Sequence, residues 1–346
     1  MINIGIIGST GYSGTELLRI LSNHPDVNIS ALVSKNFEGK NISDVYPHFT
    51  NLIDINCSIL DTLEISQKCD LVFTALPHGV SLEVVAELIN YGLKVIDLSG
   101  DYRYKSSDVY EEWYKINHTH KDLLSTAVYG LSELNRDEIR KGNLIANPGC
   151  YPTCSVLSLA PLVSANIIDT NSIIIDAVSG VSGAGRTSSL PFQFTECTEN
   201  FRAYKVASHR HTSEIEQELS LLAKKPIVIT FTPHLSPMKR GILVTAYASL
   251  TKNISSSELY DLYNEYYKNQ FFIRIRSDGT YPQTKWVAGS NFVDISITLD
   301  TRTNRVVIVG AIDNLIKGAA GQAVQNMNIM CGFNETTALG LPGFYI

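Results

Sequence analysis

The sequence predicts a two-domain α/β protein, and three observations lead to this prediction. The chain has 346 residues, enough for two domains that each bury their own core. Short apolar strands alternate with helices along residues 2–98, the pattern of a parallel, doubly wound sheet. After residue 148, longer strands follow one another with few helices between them, which is typical of an α+β domain with a mostly antiparallel sheet.

The elements of the first domain follow from the spacing of apolar residues. Isoleucines in residues 2–7 predict a buried strand, and Leu17, Leu18 and Leu21 predict the helix after it. Further along, elements of both kinds alternate: strands at 27–33, 70–75 and 95–98, and a helix at 81–90.

In the second domain the apolar runs are longer. We expect strands at residues 173–178, 227–231, 241–250, 292–299 and 306–312. A serine run at 255–257 leads into a helix at Glu258. At the end of the chain, apolar residues at four-residue steps predict one helix over residues 314–330.

A glycine-rich segment joins the first strand to its helix and consists of Gly8, Ser9, Thr10, Gly11, Tyr12, Ser13 and Gly14. Bare backbone at the glycines can approach a pyrophosphate, and the helix N-terminus offers unpaired N–H groups. The segment therefore predicts a Rossmann-type dinucleotide-binding domain, although its spacing is G-x-x-G-x-x-G rather than G-x-G-x-x-G. The alternative is a tight turn that binds no ligand.

The tip of the second strand indicates which dinucleotide to expect. Domains that prefer NAD place an acidic side chain there, on the ribose 2′-OH. Here the tip carries Ser34 and Lys35, a hydroxyl and a cation, which suit a 2′-phosphate. We therefore expect NADP(H) as the cofactor.

Composition and charge exclude several classes of protein. The formal net charge is -6 and no long run of one sign occurs, so neither a nucleic-acid groove nor a polybasic membrane anchor is expected. No apolar run is long enough to span a bilayer, and the first residues do not resemble a signal peptide. The six cysteines include no C-x-x-C pair, which indicates reduced thiols and a cytoplasmic protein.

Cys150 is the cysteine with a chemical context. It follows Asn147, Pro148 and Gly149 and precedes a helical run that we expect to begin near Thr153. A thiol at a helix N-terminus can have its pKa lowered from about 8.5 to about 3.5–7.5, which leaves a nucleophilic thiolate. We expect Cys150 to be a nucleophile; the alternative is a buried cysteine beside a structural turn.

Two histidines could handle the proton that such a thiol requires. His209 and His211 lie just before a predicted helix, with Thr212 or Ser213 as its N-cap and Glu216 completing a capping box with Ser213. Glu214 could orient one ring and raise its pKa, giving an imidazolium beside the thiolate. Zinc ligation is the other use of two such histidines, but no further ligands are spaced to complete a metal site.

With these residues identified, the chain resembles the N-acetyl-gamma-glutamyl-phosphate reductase family of arginine biosynthesis and, more distantly, the aspartate-semialdehyde dehydrogenases. Eight blocks occur in the family order, at residues 8–14, 75–79, 97–103, 147–153, 179–186, 209–214, 233–241 and 313–328. Two small departures are Gly100, where alanine is common, and Ser213, where proline is common.

The resemblance implies an activity: NADPH-dependent reduction of an acyl phosphate to an aldehyde, with release of inorganic phosphate through a thioacyl enzyme. It implies that Cys150 accepts the acyl group, that His209 and His211 supply the acid and base, and that Asn314 lies near the nicotinamide. The last helix would return to the first domain. The implied domains are residues 1–148 plus 314–346 for NADP and residues 149–313 for substrate, catalysis and homo-oligomer formation.

Other blocks suggest contacts with phosphate or cofactor. Arg103 could hold the acyl phosphate with a bidentate fork, although a surface salt bridge is the plainer interpretation. The segment containing Ser179, Ser182 and Gly183 suits backbone contact with phosphate or cofactor, and a glycine-rich turn is an equal alternative.

Two rival functions and several details stay open. A short-chain reductase needs a helical Tyr-x-x-x-Lys, and the match at residues 281–285 contains a proline. A redox sensor that switches through Cys150 would need neither Arg103 nor the histidines. The acyl cap could be acetyl, succinyl or carrier-linked, and the roles of His209 and His211 could be exchanged, with His211 preferred as the acid/base.

Overall fold

The computed structural model describes residues 1–186 and 188–345. The chain divides into two compact units, Met1–Pro148 with Ala319–Gly340 and Gly149–Gly318 with Leu341–Ile346. Residues 314–318 and 341–345 thus lie in the second unit, whereas the sequence assigns them to the first. Hydrogen bonds explain the difference: Gly241 N donates to Asn314 Oδ1 at 2.7 Å, and Phe344 N donates to Ala288 O at 2.8 Å.

The first unit is built on a parallel sheet. Its strands are β1 (Ile2–Ile7), β2 (Val27–Val33), β3 (Leu71–Thr74), β4 (Lys94–Asp97), β5 (Val128–Tyr129) and β6 (Leu144–Ala146). They lie in the order β2-β1-β3-β4-β6-β5, and each neighbouring pair is parallel. The chain moves from β1 to β2 on one side and returns to β3 on the other, so the topological switch point lies between β1 and β3.

Short helices accompany this sheet. They are α1 (Tyr12–Leu21), α2 (Ile42–Val45), α3 (Thr62–Lys68), α4 (Ser81–Asn90), α5 (Ser107–Tyr114), α6 (Lys121–Thr126) and α7 (Ser132–Lys141). Ile4, Ile6 and Val72 are fully buried in the strands, as expected for a parallel sheet whose two faces are covered. The sequence missed β5 and β6, which are too short to show an apolar period.

The second unit contains a mixed sheet. Its strands are β7 (Ile174–Gly180), β8 (Arg202–Ala203), β9 (Thr230–Ser236), β10 (Ile242–Ser249), β11 (Ile273–Ile275), β12 (Val293–Asp300) and β13 (Arg305–Ile312). They lie in the order β11-β12-β13-β10-β7-β9-β8. The pairs β11–β12 and β7–β9 are parallel and the other neighbours are antiparallel.

One predicted strand lies at the wrong place. The sequence predicts a strand at 227–231, whereas β9 begins at Thr230. Two N–H groups before it are bonded to helix side chains instead of a neighbouring strand: Ile227 N donates to Ser220 Oγ at 2.9 Å and Ile229 N to Glu216 Oε1 at 3.0 Å. Because these N–H groups bond to side chains of a neighbouring helix, the strand begins only at Thr230.

The helices of the second unit differ in how they are covered. They are α8 (Cys150–Ser164), α9 (Phe194–Cys197), α10 (His211–Ala223), α11 (Ser256–Tyr267) and α12 (Thr284–Val287). Helix α8 is buried from Tyr151 to Val163, with Ser155 and Ser158 among its buried residues, and packs against α10, β10 and β13. Ser255 and Glu258 form a capping box at the start of α11. No helix among the described residues is both long and apolar enough to cross a membrane.

The last helix belongs to the first unit. A π-helical turn at Ile316–Ala320 precedes α13 (Gly321–Cys331), so the predicted helix over 314–330 is interrupted near its start. Asn326 is fully buried there, and both ends of its side-chain amide are hydrogen-bonded. Its Nδ2 donates to Gly130 O at 2.8 Å and Asn147 Oδ1 at 3.1 Å, and its Oδ1 accepts from Ser132 Oγ at 2.7 Å.

Replacing Asn326 with alanine should lower the free energy of unfolding by about 2–4 kcal/mol, because buried polar partners lose their hydrogen bonds together. Urea denaturation measures this change. Asn23→Ala, at an exposed position of the same unit, should change it by less than about 0.5 kcal/mol. Equal stabilities of the two variants would contradict the importance of the Asn326 bonds.

Candidate active site

Two glycines of the segment after β1 are required by close backbone approach. Gly8 has φ of 86°, and a Cβ there would lie 2.4 Å from Ala75 O. A Cβ at Gly14 would lie 2.4 Å from Gly8 O. Neither position can accept a side chain without moving the backbone, so the loop after β1 fits tightly against the start of α1 and the end of β3.

The same loop leaves the N-terminus of α1 available to an anion. Gly11 is the N-cap, and in the part of the chain that the structure describes no side chain caps this end. Tyr12 and Ser13 are the first helical residues. Tyr12 is exposed and Ser13 is half-buried. Ser9 Oγ donates to Val33 O at 3.1 Å, which ties the loop to the end of β2. Helix N–H groups next to glycine backbone are the usual cradle for a phosphate.

The two residues predicted to hold a 2′-phosphate differ in exposure. Ser34 is 4% exposed, and its hydroxyl lies 2.7 Å from Thr10 Oγ1. Lys35, the next residue, is exposed. Ser34 thus joins the tip of β2 to the glycine loop, and the cation beside it is accessible.

Arg103 is a buried residue, not a surface one. It is 5% exposed, and its Nε donates to Asn147 O at 2.7 Å while Nη2 donates to Leu98 O at 2.9 Å. Two donors of its fork therefore bind backbone carbonyls in the loops that follow β4 and β6. Its charge is fixed in place by these two bonds.

In the second unit, Cys150 is the first residue of α8. The sequence predicts a start near Thr153, but Gly149 is the extended N-cap and Thr153 N already donates to Gly149 O at 2.9 Å. Cys150 is half-buried. The thiol thus lies in the first turn of a long buried helix, at its positive end. This position stabilises a thiolate more strongly than the predicted one, in which Cys150 precedes the helix.

Glu214 supports the start of α8. Its side chain is fully buried, and Oε1 accepts a hydrogen bond from Gly149 N at 2.7 Å. The predicted capping box between Ser213 and Glu216 is wrong. Ser213 Oγ donates to Arg210 O at 3.0 Å, and Glu216 accepts from Ile229 N, because α10 already begins at His211.

His209 and His211 lie together and are both buried. They are 7% and 9% exposed, their ring centroids are 4.8 Å apart, and His211 N donates to His209 Nδ1 at 3.1 Å. The ring of Tyr151, the residue after Cys150, lies 5.6 Å from His209 and 6.0 Å from His211. The structure therefore brings both predicted histidines to the residue that adjoins the predicted nucleophile, and neither lies in a solvated loop.

Burial, together with the positive charges of Arg210 and Lys205, lowers the pKa of His209 to about 3. The ring of His209 is therefore neutral at physiological pH, and the expected imidazolium does not lie there. Since Nδ1 accepts a hydrogen bond, the neutral ring carries its proton on Nε2.

Sequence reasoning missed the aromatic residues around these histidines. Tyr204 Oη donates to Tyr151 Oη at 3.1 Å, and Tyr151 Oη donates to His234 O at 3.3 Å. The ring of Phe231 lies 5.6 Å from that of His209. Burial raises the pKa of Tyr204 to about 12, so its hydroxyl keeps its proton. These residues come from separate elements, and only the adjacency of Tyr151 to Cys150 could have indicated one of them.

The predicted cofactor residues of the second unit also meet. Asn314 Nδ2 donates to Ser182 Oγ at 3.0 Å, and a Cβ at Gly183 would lie 3.2 Å from Ser179 Oγ. Asp313, which the sequence analysis did not select, is fully buried beside them. Its carboxylate accepts from Gly289 N at 2.6 Å and Leu315 N at 2.8 Å and pairs with Arg240 at 3.1 Å.

No group of three His, Cys, Asp or Glu side chains that could hold a metal ion occurs within residues 1–186 and 188–345. The charged and polar side chains described above instead bond to backbone groups and to each other.

Comparison with known families assigns both parts of the chain. Residues 3–142 match the family described as semialdehyde dehydrogenase, NAD binding domain, and residues 150–314 match semialdehyde dehydrogenase, dimerisation domain. Full-length relatives are the N-acetyl-gamma-glutamyl-phosphate reductases of Acetivibrio thermocellus, 58% identical, and Halothermothrix orenii, 53% identical, each over 100% of both chains.

Solved structures confirm the predicted fold class. Aspartate semialdehyde dehydrogenase II of Vibrio cholerae, complexed with ASA, has a TM-score of 0.73 at 18% identity, covering 96% of this chain and 98% of that one. The enzyme of Candida albicans with NADP has a TM-score of 0.71 at 17% identity, again covering 96% and 98%. At such identities the likeness concerns the fold.

The low pKa of His209 predicts an acid-sensitive stability. An unfolded histidine has a pKa of about 6.5, so between that value and about 3 the unfolded chain binds a proton that the native chain does not. Stability from this group is full above pH 6.5 and falls by up to about 1.4 kcal/mol per pH unit below it.

His209→Asn should therefore flatten the loss of stability between about pH 8 and about pH 5, as measured by urea denaturation. The control His48→Asn, at an exposed histidine, should keep the wild-type pH dependence. The same pH dependence in wild type and His209→Asn would mean that folding does not lower the pKa of His209.

Proposed function

The chain belongs to the N-acetyl-gamma-glutamyl-phosphate reductase family, and from this premise we propose that it reduces N-acetyl-gamma-glutamyl phosphate to N-acetylglutamate 5-semialdehyde and releases phosphate. The cofactor is NADP(H), and the reaction is a step of arginine biosynthesis. The observation that carries the proposal is Cys150 at the first position of α8, with Tyr151 against His209 and His211.

In the acylation step, the Cys150 thiolate attacks the acyl carbon. A carbon–sulfur bond forms, the bond from that carbon to the phosphate oxygen breaks, and inorganic phosphate leaves with the electron pair. Backbone N–H groups at the start of α8 stabilise the charge that develops on the carbonyl oxygen. The bond from Gly149 N to Glu214 supports this role because it holds the turn in place.

Residues of the first unit fit the cofactor. The tight backbone at Gly8, Gly11 and Gly14 and the uncapped end of α1 suit a pyrophosphate, with Ser9, Thr10, Tyr12 and Ser13 beside it. Ser34 and Lys35 would hold the 2′-phosphate, and Ser182, Gly183 and Asn314 of the second unit would hold the nicotinamide. When bound, NADPH supplies the hydride that reduces the thioester carbon.

In the last step, the Cys150 thiohemiacetal breaks down. The carbon–oxygen bond becomes the aldehyde carbonyl, the carbon–sulfur bond breaks, and the sulfur takes a proton from a histidine. We assign this proton to His211. With a pKa of about 3, the ring of His209 is not an imidazolium at neutral pH and is a poor proton donor, so His209 is suited to a contact with the substrate.

Arg103 and Ser179 are proposed to bind the substrate. The guanidinium of Arg103 is fixed by Asn147 O and Leu98 O, so its charge is available at a defined place for the acyl phosphate. Ser179 is 3% exposed and lies against Gly183. A cytoplasmic location fits the six cysteines, which form no disulfide in the described residues.

A homodimer is the proposed assembly, through the second unit. On β7, β10 and β13, side chains alternate between buried and half-buried. The half-buried face carries Val178 paired with Leu243, and Tyr247 paired with Val307. Asp176 and Thr245 form a polar pair between them. A mostly apolar sheet face of this kind suits contact with the same face of a second copy, and the family matched here is described as a dimerisation domain.

The proposed reaction is tested in reverse, by following NADP reduction with N-acetylglutamate semialdehyde and phosphate. Cys150→Ser should lower the rate by about a thousandfold or more with NADP affinity unchanged, because the alcohol forms no nucleophilic anion there. Cys197→Ser, a half-buried thiol elsewhere in the second unit, should stay active.

Three results would refute parts of this proposal. Activity retained by Cys150→Ser would exclude the thioacyl intermediate. Faster turnover of aspartate semialdehyde than of N-acetylglutamate semialdehyde would mean that the substrate assignment is wrong, and NAD preferred over NADP would contradict the roles of Ser34 and Lys35.

For the assembly, Leu243→Glu should convert the dimer into monomers, because a charge on the apolar face cannot be buried without a partner. Sedimentation velocity measures the change. Asn264→Glu, at an exposed position of α11, should leave the dimer intact. A monomeric wild type would refute the proposed homodimer. A dimeric Leu243→Glu variant would mean that the contact lies elsewhere.

A further inference from the structure

The loops after β3 and β4 are joined beside the glycine segment. Gly100 N donates to His78 Nδ1 at 2.8 Å, and Gly79 N donates to Asp101 Oδ2 at 2.8 Å. Tyr110 Oη donates to the other oxygen of Asp101 at 2.9 Å. These hydrogen bonds therefore join the two loops into one piece.

This piece stands at the topological switch point. Open α/β sheets bind ligands at the carboxyl ends of the strands where the strand order reverses, which here means the loops after β1 and β3. The loops after β1 and β3 are in contact, since Ala75 N donates to Ile7 O at 2.8 Å and a Cβ on Gly8 would meet Ala75 O. The position of residues 75–79 thus bears on any dinucleotide held by the glycine segment.

Tyr114, the last residue of α5, packs over the junction. Its ring stacks on Tyr110 with centroids 4.8 Å apart and planes at 17°, and it meets His78 edge-on at 5.1 Å. A Cβ on Gly100 would lie 2.1 Å from Tyr114 Oη and 2.5 Å from Cζ. The tyrosine ring therefore occupies the space that alanine, common at this position in the family, would need.

We propose that Tyr114 is a positioning residue for NADPH, because its ring fixes Gly100 and His78 and, through them, the loop beside the glycine segment. Gly100 and Tyr114 form a matched pair: the missing side chain admits the ring, and the ring holds the loop. This inference rests on the proposed function for the identity of the cofactor. Its packing argument does not depend on that function.

A double-mutant cycle in the full chain tests the pair, with NADPH fluorescence to measure Kd. Gly100→Ala should raise Kd by about tenfold, because the methyl group displaces the ring or the loop. Gly100 does not have positive φ, so alanine is acceptable to the backbone itself. In a Tyr114→Ala background the same substitution should change Kd by less than about twofold, since the obstacle is gone.

Single variants at Tyr114 separate positioning from general stability. Tyr114→Ala should raise Kd and KM for NADPH by about fivefold with a smaller change in kcat, and Tyr114→Phe, which keeps the ring, should restore both. Ile139→Ala removes fully buried side-chain atoms elsewhere in the first unit and should lower Tm without changing Kd.

Several outcomes would overturn the inference. These are equal effects of Gly100→Ala in both backgrounds, an unchanged NADPH Kd in Tyr114→Ala, and a Kd increase in Ile139→Ala as large as in Tyr114→Ala. If wild type binds NADPH and turns over N-acetylglutamate semialdehyde, such a result counts against the positioning role alone. If wild type binds no NADPH, the proposed function fails, and the inference with it.

Discussion

The hydrogen bond between Gly149 N and the buried Glu214 carboxylate is the contact on which the candidate chemistry depends. It links the start of α8, where Cys150 lies, to the first turn of α10, which begins at His211. Burial of a carboxylate costs free energy unless donors satisfy it, and a backbone N–H at a helix N-terminus is a favourable donor. The same bond defines where α8 begins, which places Cys150 at its positive end.

The first unit depends on steric constraints more than on charge. Gly8 and Gly14 bring the loop after β1 against its own helix and the end of β3, at distances that no side chain would permit. Buried Arg103 then joins the loops after β4 and β6 through backbone carbonyls. A cofactor site built in this way has its geometry before the ligand arrives, so less conformational entropy is lost on binding.

Much of the candidate site could be predicted from local pattern. The glycine segment, Cys150 after Pro148 and Gly149, and the histidine pair all rely on neighbours in sequence, and each prediction needed only the local chain. The errors have a common cause. Glu216 was assigned to a nearby cap, whereas it accepts a hydrogen bond from Ile229, and the bond between Glu214 and Gly149 was not foreseen; both partners are distant in sequence. Tyr204 and Asp313 were missed because burial by other elements gives them their roles.

The sequence by itself determined the two-domain α/β fold and predicted a dinucleotide loop and a nucleophile, because apolar periods and glycine spacing act over a few residues. Only the tertiary structure decided the protonation state of His209 and which residues distant in sequence contact each other. His209 is neutral because Tyr151, Tyr204 and Phe231 bury it beside two cations, and no local pattern contains that burial. The absence of a side chain at Gly100 likewise matters only because the ring of Tyr114 packs on it after folding, since excluded volume is a property of the folded chain.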